Sequence, residues 1–158
     1  MDMQHGVTGI LIAMGLSVLI VAVCVLVHYE GLRLAPIYMP KFTIRPRQRI
    51  LVIMGVAFVA HSLEVWLVAV GFFIIAQFPG IGGISAVTGS FSGSFAEFLY
   101  YSTVSYTSLG IGDLYPTGVL RLLTGVEALV GLAMIAWTGS FTYLAMEKFW
   151  SLHRTRAD

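Results

Sequence analysis

The chain has 158 residues, 58% of them hydrophobic and only 11% charged, with a formal net charge of +1. Soluble domains carry about 25% charged residues, so this composition is that of an integral membrane protein and argues against a nucleic-acid partner. The single cysteine, Cys24, sits inside an apolar run, which excludes an intrachain disulfide and reads as a small packing residue.

The first apolar segment, Val7 to His28, exceeds the roughly 20 residues a helix needs to cross a bilayer. No Lys or Arg precedes it and it is longer than a signal-peptide core, so it reads as a retained span. A basic loop follows, with Arg33, Lys41, Arg45, Arg47 and Arg49, closing a first region at residues 1–49. Residues 50–158 form the second region. Its outer helix is expected over 50–78 and a Gly/Ser-rich loop over 79–94. The "GIGG" at Gly80 to Gly83 lacks the strand and the lysine of a phosphate loop. Next comes "FAEFLYYSTVSYT", Phe95 to Thr107, a helix of about 20 Å that reaches only partway through a hydrocarbon core of about 30 Å. A second long helix is expected over 118–146, followed by a short tail with Lys148, Trp150, His153, Arg154 and Arg156.

Eight of the nine basic residues lie after the first span or after the last, on one side of the membrane; only Arg121 does not. The positive-inside rule makes that side cytoplasmic and puts the N-terminus outside, in the plasma or inner membrane. The short helix and the "TSLGIGD" that follows it, Thr107 to Asp113, then enter from outside and return there. Such a re-entrant segment survives only where protein or water satisfies its backbone. Carbonyls of successive residues can face one way only if alternate residues take left-handed torsions, which glycine adopts without steric cost. Gly110 and Gly112, one residue apart, meet that requirement.

"LYYSTVSYTSLGIGDLYP", Leu99 to Pro116, resembles the pore helix and selectivity filter of tetrameric pore-loop potassium channels, whose filter usually reads Thr-Val-Gly-Tyr-Gly-Asp. The resemblance extends over about Phe95 to Phe149. It implies an all-α membrane protein of three transmembrane helices plus a pore helix and filter loop, assembled as a homotetramer among membrane lipids. It also implies that K⁺ is held by the carbonyls of Ser108, Leu109, Gly110 and Ile111, with Gly112 completing the filter and the Ser108 hydroxyl innermost. Thr107 would end the pore helix, Asp113 would sit behind the outer mouth, and Gly131 falls where relatives carry a hinge glycine. Three residues depart from the pattern: Ile111 replaces the usual aromatic and has no side-chain hydrogen bond to give, Leu109 replaces valine, and Val104 is apolar. Neither of the first two spans carries the arginine series a voltage sensor needs.

Ionisable residues inside the spans call for an explanation, since they are costly in lipid and often mark function. His61 and Glu64 are three apart on one helix face. Helix rise places His61 about 16 Å and Glu127 about 14 Å from opposite membrane faces, so a His61–Glu127 or Glu64–Glu127 contact is expected. The group reads as a structural network, a gating or proton-sensing device, or a ligand set. His28 and His61 could be axial ligands of a haem, although their depths differ by roughly 10 Å, which opposes pairing within one subunit. His28 is expected beside Tyr29 and Glu30 near the cytoplasmic interface, and His5 and His153 in solvated terminal segments.

A passive, potassium-conducting channel is the leading function. A non-selective cation pore and a haem-binding or redox membrane protein on the same fold are the alternatives. An enzyme is not expected, because no nucleophile–base pair or closed metal set can be assembled.

Overall fold

The computed structural model describes residues 2–38, 46–78 and 81–154, with side chains over 9–38, 48–78 and 81–148. Lys41, Arg45, Pro79, Gly80 and Arg156, and the side chains of His5, Arg47, Trp150, His153 and Arg154, lie outside the described residues. The element order is α1 (Asp2–Tyr38), α2 (Pro46–Ile75), β1 (Ile84–Ala86), α3 (Phe95–Tyr106), β2 (Leu114–Pro116) and α4 (Leu120–Arg154). Three stretches, Gly9–Tyr38, Gln48–Ile75 and Leu120–Lys148, are long and apolar enough to cross a membrane. Their exposed residues include Leu19, Phe58 and Leu129, side chains that water would not solvate and lipid would. The protein is thus an all-α membrane protein with one small β ribbon.

The long helices run further than hydropathy suggests. α1 continues ten residues past His28, through Pro36, and α4 reaches Arg154. The half-length helix α3 ends one residue before Thr107, which caps it.

The chain packs as two units, and α1, α2 and α4 each contribute to both. The first unit comprises Met1–Cys24 and Glu64–Leu132. Its core gathers Val68, Ala69 and Phe72 from α2, Phe98, Tyr101 and Tyr106 from α3, and Leu120, Leu123 and Val130 from α4. Aromatic edges lock α3 to α2: Phe72 meets Tyr101 at 5.4 Å and Phe73 meets Phe98 at 5.6 Å between ring centroids, both edge-on. The β ribbon pairs Ile84 with Pro116, Ser85 with Tyr115 and Ala86 with Leu114, antiparallel. It ties the loop before α3 to the segment after the glycines, an association that residues too short and too Gly/Ser-rich to read as strands did not reveal. At its end Gly82, with φ +115°, and Gly118, with φ +57°, approach so closely that a Cβ on either would strike opposing backbone at 2.2 and 2.5 Å.

The second unit comprises Val25–Leu63 and Ala133–Asp158. Its described core is small-residue packing of α1 on α2, with Leu32, Ala35, Ile53, Ala57 and Ala60 buried. Gly31 faces this packing: a Cβ there would make ordinary van der Waals contact with Ala60 at 3.5 Å and Val56 at 3.7 Å. The exposed Arg33–Glu30 pair, 2.7 Å apart, contributes little.

Candidate functional site

The site begins at the N-terminus of α3. Ser94, with extended torsions, is the N-cap, and its hydroxyl accepts the Glu97 N–H at 3.4 Å. Glu97 turns back and accepts from the Ser92 N–H at 2.8 Å and the Ser92 hydroxyl at 2.5 Å. That hydroxyl is the main reason the Glu97 carboxyl is held below the usual carboxylate range; desolvation opposes it, and the amides of Ser92, Gly93 and Ser94 assist. A depressed carboxylate contributes stability above its unfolded pKa and loses it as pH falls through the folded value. Ser92→Ala is therefore expected to lower the thermal midpoint at neutral pH. The difference should vanish once Glu97 is protonated, as a pH series of melts would show.

At its other end α3 stops in a left-handed cap. Ser108, with φ +56°, donates its N–H to Ser105 O at 3.0 Å, and the Leu109 N–H reaches back to Val104 O at 3.0 Å. This is the Schellman arrangement, with serine where glycine is usual. Positive φ then recurs at Gly110 (+55°) and Gly112 (+86°), every second residue. Among the described residues, none of the carbonyls of Ser108, Leu109, Gly110 and Ile111 accepts a hydrogen bond from the chain. The side chains of Leu109 and Ile111 are 66% and 58% exposed. The positive φ at Ser108 was not anticipated, since a glycine-centred reading attends only to Gly110 and Gly112.

Asp113 is fastened behind this segment. Its Oδ2 accepts the Tyr100 hydroxyl at 2.8 Å, its Oδ1 accepts the Leu114 N–H at 3.0 Å, and its carbonyl accepts the Val87 N–H at 2.9 Å. The bond to the Asp113 carboxylate is the main reason the Tyr100 phenol is raised above its ordinary pKa. Tyr100 thus fastens Asp113 to α3. The signal for it was the "YY" of α3, one helical face away from Tyr101.

The two buried carboxyls of the first unit dock on α3 rather than on each other. Glu64 accepts the hydroxyl of Tyr106, and Glu127 meets the hydroxyl of Ser102 at 2.5 Å. Ser102 also donates to the Val65 carbonyl at 2.9 Å. The expected Glu64–Glu127 contact is therefore replaced by two separate braces, from α2 and α4, on residues one turn apart in α3. Ser102 and Tyr106 were not singled out in the sequence, although their i, i+4 spacing puts them on one face. Ser102→Ala would leave Glu127, whose Oε2 already lacks a partner, with its other oxygen unbonded too. The loss is expected to be about 1–3 kcal/mol of stability, read as a lower melting midpoint in detergent.

Gly131 lies where α4 crosses the end of α3. A Cβ there would stand 1.9 Å from the Tyr106 carbonyl oxygen and 2.8 Å from its carbon. Gly131, where the resemblance implies a hinge, is a close-contact position against the C-terminal end of α3.

The second unit joins two histidines. His28 and His61 have ring centroids 5.0 Å apart, and both Nε2 atoms lie on the Thr138 hydroxyl, at 3.1 and 3.0 Å. The depth difference of roughly 10 Å inferred from helix rise does not hold, because α1 extends beyond His28 and carries it into the bundle. His28 is fully buried, with Trp137 beside it. Both ring nitrogens are turned to the single hydroxyl of Thr138.

A family model described as "Ion channel" matches residues 50–148, which include the capped helix, the alternating segment and α4. The chain belongs to this family of pore-loop ion channels. It is accordingly a membrane protein of an ion-channel family. No curated protein and no solved structure matches the chain.

Proposed function

We propose that the protein is a potassium channel in which four copies of the chain surround an axis lined by the carbonyls of Ser108, Leu109, Gly110 and Ile111. The observation that carries this reading is the alternation of left-handed torsions at Ser108, Gly110 and Gly112. In a strand of uniform torsions successive carbonyls point to opposite sides. Alternation turns them to one side, where they replace the water around a dehydrated cation. Four copies also give the exposed Leu109 and Ile111 a neighbour to pack against, which the single chain lacks.

The C-terminus of α3 contributes about half a negative charge at the start of the filter, which favours a cation there. Asp113, held by Tyr100, stands at the outer end. The basic residues from Arg33 to Arg49, shared between the end of α1, the connection and the start of α2, and those from Lys148 onward face the cytoplasm, with the N-terminus outside, in the plasma or inner membrane.

A non-selective cation pore is the second reading. It is favoured by one observation: the exposed Ile111 gives the filter no side-chain hydrogen bond to α3. Tyr100 counts against it, because it braces the filter's end through Asp113 instead. Flux from proteoliposomes under K⁺ and then Na⁺ gradients separates the two. Flux in K⁺ alone, absent in Gly110→Asp, is the expected result; equal flux in both ions would establish the non-selective pore.

A further inference from the structure

The His28–Thr138–His61 cluster belongs to the second unit and the filter segment to the first, and nothing in ion conduction requires two histidines around one hydroxyl. We propose that His28 and His61 form a binding site for a divalent transition-metal ion of the zinc class, with the Thr138 hydroxyl as a third, weaker ligand.

The argument starts from proton counting. The Thr138 hydroxyl carries one hydrogen, and two imidazole Nε2 atoms face its oxygen. If that hydrogen goes to one ring, that ring presents an Nε2 lone pair and carries its own proton on Nδ1. A tautomer exchange gives the second ring the same state. With an ion present both lone pairs converge on one small volume; without it, one ring accepts the hydroxyl hydrogen and the other donates its Nε2–H to the hydroxyl oxygen.

The distances suit a small ion. The ligand nitrogens of His28 and His61 lie within 4.8 Å of each other. Zinc–nitrogen bonds of about 2.0–2.1 Å bring two ligands to roughly 3.3 Å in a tetrahedron, so side-chain movement of about 1–1.5 Å closes the site. A bare ion takes up only the place of the hydroxyl hydrogen among them. Neutral imidazole suits zinc, copper and nickel, and excludes the hard cations that a carbonyl filter handles. His61 is partly exposed, which gives an ion a way in, whereas His28 is sealed behind Trp137.

Each ligand comes from a different helix: His28 from α1, His61 from α2, Thr138 from α4. Binding therefore fastens the inner helix to the other two within this unit. Resting on the channel reading, this makes the ion a regulator: bound zinc holds α4 and lowers flux.

The test is calorimetric titration of the purified protein, prepared without a histidine tag, with Zn²⁺ alone. One ion per chain is expected. Binding should weaken at least tenfold in both His28→Gln and His61→Gln, variants that keep a hydrogen-bonding group while removing the imidazole. X-ray absorption of the zinc-loaded wild type, which needs no variant to fold, should show two imidazole ligands. No stoichiometric zinc uptake, uptake unchanged in both variants, or fewer than two imidazoles would overturn the site. Flux separates the two readings. Zinc-insensitive K⁺ flux with binding intact removes the regulatory role and leaves the site. Absence of K⁺ flux from the zinc-free protein removes the channel reading instead and leaves the site.

Discussion

Gly110→Ala is expected to reduce K⁺ flux to the level of empty liposomes while leaving the helices folded. Gly110 sits at φ +55°, and a Cβ there would meet nothing within 4 Å in its own chain. The penalty is therefore torsional, about 1–2 kcal/mol for an L-residue in the left-handed region. Returning to negative φ relieves it, but rotates the adjoining peptides and turns a carbonyl off the common side. In a ring of four copies every subunit suffers the same change at the same level. Circular dichroism should be unchanged while flux is lost. Wild-type flux in this variant would mean that the alternation at residues 108, 110 and 112 has no part in conduction.

Gly131→Ala is expected to act through packing. The new methyl would sit 1.9 Å from the Tyr106 carbonyl oxygen, a backbone atom with no rotamer to escape into. α3 and α4 must separate, at a cost typical of overpacking, about 1–3 kcal/mol. The displacement falls on the turn whose Val104 and Ser105 carbonyls hold Leu109 and Ser108 in the cap. Both the melting midpoint and the K⁺ flux should drop. Gly125→Ala and Gly139→Ala on the same helix, where a Cβ meets nothing within 4 Å, are the controls. They are expected to stabilise by about 0.5–1 kcal/mol through helix propensity. A hinge without close packing at residue 131 would give the reverse pattern: an unchanged melt with altered gating.

The membrane class, the three spans and the half-length helix were legible because each rests on a strong local signal: apolar length for α1, α2 and α4, and the run from Phe95 bounded by Ser94 and Gly110 for α3. The Gly-x-Gly requirement was legible for a chemical reason, since few backbone arrangements need left-handed torsions at alternate residues. What escaped was mostly tertiary. The carboxyls of Glu64 and Glu127 could be placed in depth but not in direction, so their partners Tyr106 and Ser102 on the intervening α3 were missed. His28 was misplaced because α1 does not end where its hydropathy falls; Tyr29 to Tyr38 stay helical despite Pro36. The β ribbon was invisible for a third reason: three-residue strands with no alternation gain their order only from the pairing itself. Ser108 shows a residue type overridden by context, since the two cap bonds enforce a torsion serine does not favour.

The most direct test is the reversal potential of single-channel currents in a planar bilayer, with K⁺ on one side and Na⁺ on the other at equal concentration. A filter of backbone carbonyls from Ser108 to Ile111 should give a reversal potential shifted strongly toward the K⁺ equilibrium value, with the shift and the currents both lost in Gly110→Ala. Currents that reverse at zero in wild-type protein, or that persist unchanged in Gly110→Ala, would contradict a potassium filter built on these carbonyls.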